Sequence, residues 1–281
     1  TMNNVFSCDV EDWCQSSHDL AASISERVYS NVNRCLELLA GLKVRGTFFV
    51  QGLVAEQRPE VVKVIQQEGH EIASHGHSHQ SVHEMTEQQF FQDLDRSVKL
   101  IEDITGIKVE GYRAPDFSIF NNNSFAFSVM KQCGITYDSS LFPVKTLRYG
   151  NPGCPLHPFR IQKYQLVECP ITVVGFGKLK VPVAGGGYFR LFPSFFLNWS
   201  CKRINREGRP FILYCHPYEF NSEEWRDIQK RIPKLRKLHQ NVGRKTFPQK
   251  IRNMLSTMSF SSFAETIPVL KRSKLPEEVW K

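Results

Sequence analysis

The stretch Gly46–Ser74, GTFFVQGLVAEQRPEVVKVIQQEGHEIAS, predicts a strand, a helix and a second strand in that order. The first strand, Gly46–Val50, is rich in β-branched and aromatic residues, which are favoured in sheets. Pro59 stands at the first position of the helix, where proline is tolerated, and Gly69 ends the helix. Glu71–Ser74 is the second strand. Two strands joined through a helix are the connection that parallel neighbours in a sheet require.

The same alternation extends over most of the chain. The predicted strands are Val5–Asp9, Gly46–Val50, Glu71–Ser74, Gly111–Arg113, Ile135–Asp138, Leu166–Cys169, Phe211–Tyr214 and a last element at Phe260–Phe263. The predicted helices are Asn31–Leu42, Arg58–Glu68, Thr86–Thr105 with a capping box at its start, Ser124–Cys133 and Pro193–Glu207. A stretch rich in proline and glycine, Leu141–Arg190, interrupts the rhythm and includes a turn at Gly185–Gly187. This alternation predicts an α/β fold, either a barrel or a doubly wound sheet.

Length and composition fit a globular chain with a full core. The 281 residues are 41% hydrophobic and 23% charged, and no run approaches the roughly 20 apolar residues of a membrane span. The net charge of +8 is concentrated between Trp225 and Asn253. Because no aromatic series or nucleic-acid motif accompanies these basic residues, we interpret them as a solvated face and expect no nucleic-acid partner. An anionic sugar polymer or the inner membrane surface would be attracted by such a face.

Cysteine usage and the first residues bear on location. The eight cysteines form no CxxC pair, so we interpret them as buried free thiols. Residues 1–9 carry no basic region followed by an apolar core, so we expect no signal peptide. These two observations predict a cytoplasmic protein.

The polar residues of interest follow the predicted strands at their C-terminal ends. They are Asp9, Glu11, Asp12, His75, His77, His79, Arg113, Asp138, His216 and Glu219. Because the C-terminal ends of parallel strands meet on one rim, where α/β active sites are built, we expect these side chains to lie together.

Three histidines alternate in the loop His75-Gly76-His77-Ser78-His79. Neutral imidazole is the commonest metal ligand, and three in five residues favour a metal site. If the loop is extended, His75 and His77, or His77 and His79, share a side; if it turns helically, His75 and His79 align. A carboxylate as third ligand and an open water position would complete a catalytic zinc-type site.

Asp9-Val10-Glu11-Asp12 supplies carboxylates, of which Asp9 and Glu11 face the same side of an extended strand. One could bind a metal while the other takes a proton from water, and Asp12 could instead cap a turn. The Arg113 guanidinium suits a carboxylate, so we expect it to orient Asp9 or to form a structural ion pair. His216, between an apolar strand and a Pro turn, could be a general acid or a buried structural histidine.

The order of these motifs resembles the NodB-type polysaccharide deacetylases, the family 4 carbohydrate esterases, over residues 5 to about 220. The resembling motifs are HEIASHGHSH (residues 70–79), GYRAPDFS (111–118) and LYCHPYEF (213–220). SCDVEDW (7–13), YDSSLFP (137–143), GGGYFRLFP (185–193) and HPYEF (216–220) resemble a subgroup linked to exopolysaccharide biosynthesis. Two motifs depart from the family: its adjacent aspartates are replaced by Asp9-Val10-Glu11, and its Asp–Trp pair is represented only by Tyr137-Asp138-Ser139-Ser140.

The resemblance implies a distorted (β/α) barrel of about seven parallel strands. It assigns residues 1–220 to a catalytic barrel and 221–281 to a basic C-terminal extension packed on or beside it. The implied activity is metal-dependent removal of N-acetyl groups from amino sugars of a polysaccharide or its precursor. The implied cofactor is one divalent ion, with Zn²⁺ expected, although sites of this kind also accept cobalt, nickel or iron.

The resemblance also distributes roles among the residues. It makes Asp9 the base, Arg113 its partner and His216 the acid. Glu11, His75 and His79 become the metal ligands, with Asp12 as the rival of Glu11. Pro115, Asp138 and Tyr188 are assigned to substrate binding.

Two other functions remain as alternatives to the deacetylase at this point. They are a metal-independent, allantoinase-like hydrolase of cyclic ureides and a non-catalytic carbohydrate-binding protein of the same fold. An N-acetylated glycan is the expected partner, and the sequence is compatible with a homo-oligomer.

Overall fold

The computed structural model describes residues 3–144, 146, 150–177, 179–224, 240–273 and 275–278. Its strands are β1 Asn4–Val10, β2 Thr47–Val50, β3 Glu71–Ser74, β4 Gly111–Tyr112, β5 Tyr137–Asp138, β6 Phe159–Ile161, β7 Leu166–Glu168, β8 Val173–Phe176, β9 Leu179–Pro182, β10 Ile212–Cys215, β11 Phe260–Ser261 and β12 Glu277–Glu278. The helices within these ranges are α1 Trp13–Ser17, α2 Arg27–Leu42, α3 Gly52–Gln57, α4 Pro59–Gln67, α5 Glu87–Thr105, α6 Phe125–Gln132, α7 Gly186–Leu191, α8 Ser194–Arg206, α9 Phe247–Thr257 and α10 Phe263–Arg272.

Seven parallel strands form the body of the fold, in the order β10-β1-β2-β3-β4-β5-β7. This confirms the predicted α/β fold with about seven parallel strands. Beyond β7 the sheet continues through antiparallel β6 to β12. On the far side of β10, Ala184 accepts a hydrogen bond from the Tyr214 backbone N–H (2.8 Å), and Gly185 forms a β-bridge with Tyr214. Irregular chain therefore takes the place of a regular strand here, which makes the barrel distorted.

Local sequence signals explain most element boundaries. Thr86 and Gln89 form the expected capping box at the start of α5, and Gly106 ends that helix in the left-handed conformation. Pro59 opens α4 as predicted. Helix α2 begins at Arg27, four residues before the predicted Asn31, and Glu26 at its start makes no capping bond. Because no capping residue marks this start, the sequence pattern could not predict it.

The stretch 141–190 contains more regular structure than predicted. It includes β6, the β8–β9 hairpin and α7, and α7 begins within the glycines predicted as a turn. The strands are only three or four residues long, so a periodic signal could not develop in them.

The described part of the predicted C-terminal extension is joined to the sheet. Strand β11 pairs with the start of β1, and β12 pairs with β6. The boundary at residue 220 stays a prediction. Arg226, Lys230, Arg231, Lys234, Arg236 and Lys237 of the basic stretch lie outside the described residues.

All eight cysteines are free thiols, as expected, and the predicted cytoplasmic location stays a prediction. Among the described helices, none combines the length and the apolar character that a membrane span needs.

Candidate active site

A cavity of about 380 Å³, here called the rim cavity, opens at the C-terminal ends of the parallel strands. Its walls come from β1, the loops after β3 and β4, the start of α7 and the turn after β10. The lining residues that matter below are Asp9, Glu11, His75, His79, Tyr188, Arg190, His216, Tyr218 and Glu219. The rim predicted from the strand ends therefore exists as one cavity.

Glu11, His75 and His79 meet in this cavity, and all three side chains are buried. Each offers one ligand atom, and these atoms lie within 4.8 Å of one another. The Nε2 atom of His75 is 3.7 Å from Oε2 of Glu11, and Nε2 of His79 contacts the same oxygen. Of the residues described, only these three form a group with the spacing of a metal site.

Backbone conformation brings the two histidines together. Gly76 (φ 70°) and His79 (φ 64°) are both left-handed, so the loop is neither an extended strand nor a helical turn. Asp93 of α5 holds it by accepting hydrogen bonds from the backbone N–H groups of His77 (2.7 Å) and Ser78 (2.9 Å). Of the three pairings left open by the residues alone, the structure brings together His75 and His79.

His77 occupies a different environment. Its Nε2 atom is 3.5 Å from Oε2 of Glu56 on α3, and the residue is not part of the rim cavity wall. A Cβ atom on Gly52 would lie 2.6 Å from Nδ1 of His77, so the close packing requires glycine there. The loop therefore directs its middle histidine toward the helices.

Further hydrogen bonds orient the side chains of the cluster. His75 uses Nδ1 to donate to the Arg113 carbonyl oxygen (2.8 Å), which leaves Nε2 facing Glu11. Tyr218 donates from its hydroxyl to Oε1 of Glu11 (3.0 Å). Hydrogen bonds of this kind fix the tautomer and ring orientation of metal-binding histidines.

Electrostatics make the cluster attractive to a cation. Burial raises the pKa of Glu11, but the charge of His79 and hydrogen bonds with both histidines hold that pKa well below its usual value. Burial lowers the pKa of His79, and the Glu11 carboxylate overcomes this and raises it. Two imidazole nitrogens and one carboxylate oxygen are also the three-ligand set of a catalytic zinc-type site. The donor set present here therefore fits a divalent metal.

Asp9 is held beside the cluster by a buried arginine. Oδ1 of Asp9 accepts from Nη1 of Arg113 at 2.7 Å. The guanidinium, which is fully buried, also donates to the Ser7 hydroxyl (2.9 Å) and to the Ser139 carbonyl (3.1 Å) and hydroxyl (3.0 Å). It lies 4.2 Å above the centre of the Phe49 ring. Arg113 is thus immobilised on several sides and orients one oxygen of Asp9.

Asp12 faces away from the cluster. Its carboxylate caps α1 by accepting from the backbone N–H groups of Cys14 (2.8 Å) and Gln15 (3.2 Å). The other oxygen accepts from the N–H and the hydroxyl of Ser25. Both oxygens are therefore used in local structure, as the capping interpretation expects.

His216 lies near Oε1 of Glu11, whereas His75 and His79 lie near Oε2. Its Nε2 atom is 3.8 Å from Oε1 of Glu11, while Nδ1 lies 3.2 Å from Oε2 of Glu219. Nε of Arg190 lies 3.0 Å from the other Glu219 oxygen. Burial alone would lower the pKa of His216, but the hydrogen bond to Glu219 and the nearby carboxylates raise it to about 9. The contact with Glu219 therefore favours the protonated imidazole.

Of the three residues predicted to bind substrate, Tyr188 lines the rim cavity. Pro115 and Asp138 are buried and are not part of its wall. Asp138 accepts from the Ser140 hydroxyl (2.5 Å), which in turn accepts from the Ala114 backbone N–H (2.8 Å). Burial raises the pKa of Asp138 to about 6. The structure thus joins Asp138 to the loop after β4 and not to the cavity.

Sequence reasoning missed two residues of the site. Tyr218 follows His216 in HPYEF, and that short motif was the available signal for it. Arg190 reaches Glu219 from α7, which is 29 positions earlier in the chain. No local pattern could have indicated this contact, because only the fold brings α7 to the turn after β10.

Comparisons with known proteins agree with this architecture. Residues 24–137 match the family model "Polysaccharide deacetylase", and residues 139–268 match a domain of unknown function, DUF3473. Residues 24–137 are therefore similar to the polysaccharide deacetylase domain, and the rest of the site lies in a segment similar to a domain of unknown function.

Individual relatives cover only part of the chain. A peptidoglycan deacetylase-like protein of Gibberella zeae is 31% identical over 148 residues, which is 50% of this chain and 43% of the relative. The peptidoglycan deacetylase of Helicobacter pylori is 36% identical over 112 residues, or 39% of this chain and 36% of that protein. The chain thus spans less than half the length of these curated relatives.

A solved structure covers nearly the whole chain. The crystal structure of a candidate polysaccharide deacetylase from Mycobacterium smegmatis superposes with a TM-score of 0.66 at 20% identity. The superposition covers 99% of this chain and 93% of the Mycobacterium smegmatis chain. The fold is therefore shared over the full length.

Proposed function

We propose that the chain is a metal-dependent hydrolase that removes N-acetyl groups from amino sugars of a polysaccharide or its precursor. The proposal rests on one observation, namely that three groups of side chains meet in one cavity. A three-ligand cluster, an arginine-held carboxylate and a carboxylate-held imidazole surround the same space. Metal-assisted amide hydrolysis uses three such components, namely an electrophilic centre, a base and an acid.

Glu11, His75 and His79 would hold the ion, for which we propose Zn²⁺. When bound, a divalent ion of this kind lowers the pKa of water toward ~7 and polarises the acyl oxygen. Asp9 and His216 line the same cavity as the cluster, so a base and an acid can both reach an amide bound there.

Asp9 would take the proton from the attacking water, because Arg113 fixes its orientation in the wall of the cavity. The water oxygen bonds to the acyl carbon, and the carbon–nitrogen bond breaks. His216 would deliver the Nε2 proton to the departing amine, since its Nδ1 is committed to Glu219. Acetate and the free amino sugar are the products. Asp9 and the acetic acid each give up one proton, of which one would restore the His216 imidazolium and the other leaves to solvent.

The proposed site draws on both parts of the chain that match family models. His75, His79 and Arg113 lie in the deacetylase match, whereas Arg190 and His216 lie in the domain of unknown function. We propose that this second segment supplies the acid and one wall of the catalytic cavity. The subgroup motifs SCDVEDW and GGGYFRLFP border the cavity as well, and on them we base the proposal of a role in exopolysaccharide biosynthesis.

Metal content and acetate release test the proposal together. The purified chain should carry one equivalent of divalent metal and release acetate from N-acetylated oligosaccharides, and chelation should abolish the release. His79→Ala should lose metal and activity, while the matched His77→Ala variant keeps both. Acetate release that survives complete chelation would refute metal dependence, and the absence of release from any N-acetylated glycan would refute the activity.

A further inference from the structure

Large apolar side chains are exposed next to the rim cavity. Of the eleven large hydrophobic side chains that are exposed in the described residues, five lie between positions 176 and 199. They are Phe176, Leu179, Leu191, Phe195 and Trp199, called here the apolar patch. Phe195 is 76% exposed and Leu179 62%. Concentrated exposure of this kind marks an interaction surface, whereas scattered apolar residues do not.

The patch is continuous. Phe176 and Leu179 are partners across the β8–β9 hairpin, and the Phe176 and Trp199 rings stack at 5.9 Å. Phe195 and Trp199 are four positions apart on α8, so they project from one face of the helix. Leu191 is part of the rim cavity wall. The patch therefore extends from the hairpin to the mouth of the proposed active site.

Basic residues border the patch. Lys202 and Arg206 are exposed and continue the face of α8 that carries Phe195 and Trp199. The exposed acid next to α8, Glu207, is paired with Arg203 and Arg209 at its Oε1 and Oε2 atoms. The surface beside the apolar side chains is thus net positive, and it complements an anionic surface.

The Phe176 and Trp199 rings are already covered on their faces, so within the patch only Phe195 keeps an open aromatic face. Trp199 stacks on Phe176 and, at 5.6 Å, on Phe196, with nearly parallel rings in both pairs. The Arg203 guanidinium lies 4.9 Å from the centre of the Phe176 ring and 5.4 Å from that of Trp199. A sugar ring would need an open aromatic face on which to stack. Ring edges, a nearly bare phenyl group and leucine side chains suit hydrocarbon better.

We propose that the apolar patch and the basic end of α8 dock the protein on the surface of an anionic lipid bilayer. Leucine, phenylalanine and tryptophan beside lysine and arginine are the composition of segments that lie in the membrane interface. Docking in this way would place the mouth of the rim cavity against the membrane. That last consequence rests on the proposed function, whereas the docking itself does not.

Vesicle flotation with the full chain tests the proposal. The probes are vesicles of phosphatidylglycerol with phosphatidylcholine and vesicles of phosphatidylcholine alone. The chain should float with the anionic vesicles, and Phe195→Asn with Leu179→Asn should weaken binding at least about tenfold. Phe91→Asn removes an exposed phenylalanine of α5 outside the patch and should bind like the wild type. Lys202→Glu with Arg206→Glu should weaken binding to anionic vesicles at least about fivefold and change binding to neutral vesicles little.

Several results would overturn the docking proposal. The wild type could stay unbound with both kinds of vesicle, or the patch variant could float like the wild type. A patch variant that only converts a dimer to a monomer would assign the surface to a second copy of the chain. One that only loses affinity for a soluble N-acetylated oligosaccharide would assign it to glycan. Acetate release from that soluble substrate should be unchanged in the patch variant, so failure of the proposed function is scored separately from failure of docking.

Discussion

Strand β3 begins beside one cavity and ends beside another of the same volume, about 380 Å³. The cavity at its start, here called the basal cavity, contains His70 and Glu71; the rim cavity at its end contains Glu11, His75 and His79. A histidine and a glutamate therefore lie at each end of one strand, and cavity volume does not distinguish the two sites.

The two cavities differ in how their polar atoms are paired. The Glu71 carboxylate accepts from the hydroxyls of Thr47 (2.5 Å) and Tyr137 (2.7 Å) and from the Ala264 backbone N–H (2.6 Å). Nδ1 of His70 accepts from the Gly46 backbone N–H (3.0 Å). These partners belong to the barrel itself, so the basal groups join strands and helices to one another.

In the rim cavity, ionisable groups instead converge on one another. Glu11 has His75, His79 and His216 around it, and the pKa of Glu11 is lowered while those of His79 and His216 are raised. Mutual convergence of this kind is typical of functional sites. The two cavities are therefore distinguished by the partners of their buried histidines and glutamates. The presence of these residue types beside a cavity does not distinguish them.

The largest effect should come from removing the proposed base of the rim cavity. Asp9→Asn should lower acetate release about 10²–10⁴-fold and keep the metal, because a proton acceptor is lost and a ligand is not. Glu11→Gln should weaken metal affinity instead. Turnover and metal content of both variants, measured side by side, check this prediction. Loss of metal from an Asp12→Asn variant would contradict the assignment of Glu11 as ligand.

His216→Ala should cost a similar or smaller factor, roughly 10²–10³, with metal retained, because the leaving amine must then take its proton from water. An acetate ester has a better leaving group and should be affected far less, so rates on matched amide and ester substrates provide the measurement. Glu219→Gln should act in the same direction more weakly. Equal losses on amide and ester would make His216 a substrate-positioning residue.

Much of this comparison was predictable from the sequence. The strand–helix alternation predicted a parallel α/β fold, the resemblance implied that it is a barrel, and the strand ends placed Asp9, His75 and His216 on one rim. Residues 75–79 alone could not select the ligand pair, because the left-handed conformations of Gly76 and His79 depend on contacts with α5. The link from Arg190 to Glu219 and the burial of Asp138 are likewise tertiary facts. Local patterns therefore predicted which residues approach the rim and the pairing of Arg113 with Asp9, but they did not predict the other contacts.

For the free energy of unfolding, the basal cavity should matter more than the rim cavity. Glu71→Ala leaves Thr47, Tyr137 and the Ala264 N–H without their acceptor, and unsatisfied buried donors should cost about 2–3 kcal/mol of unfolding free energy. Glu11→Ala also removes the acceptor of the Tyr218 hydroxyl, but His79 can lose its proton once the carboxylate is gone, so the cost in the metal-free protein should be smaller, about 1–2 kcal/mol. Chemical denaturation of both variants in chelator is the measurement. Equal losses would show that the rim carboxylate is as structural as the basal one.

The last prediction concerns the pH dependence of stability, in which His70 and His216 should act with opposite sign. Burial, and then the charge of Arg45, lower the pKa of His70 from 6.5 to about 4. As pH falls below 6.5, the unfolded chain binds a proton that the folded chain does not bind until about pH 4. The full shift corresponds to about 3 kcal/mol, and because His70 is only half-buried we expect stability to fall by about 2 kcal/mol across this window. The pKa of His216 is raised to about 9, so its contribution is complete below pH 6.5 and is lost as pH rises through 9. Denaturation of the metal-free chain over this range measures both limbs. His70→Asn keeps a hydrogen-bond acceptor near the Gly46 N–H without a titrating group, so it should flatten the acid limb and leave the alkaline limb unchanged. An acid limb that persists in His70→Asn would mean that another group titrates there, and the contrast between the two ends of β3 would then rest on hydrogen bonding alone.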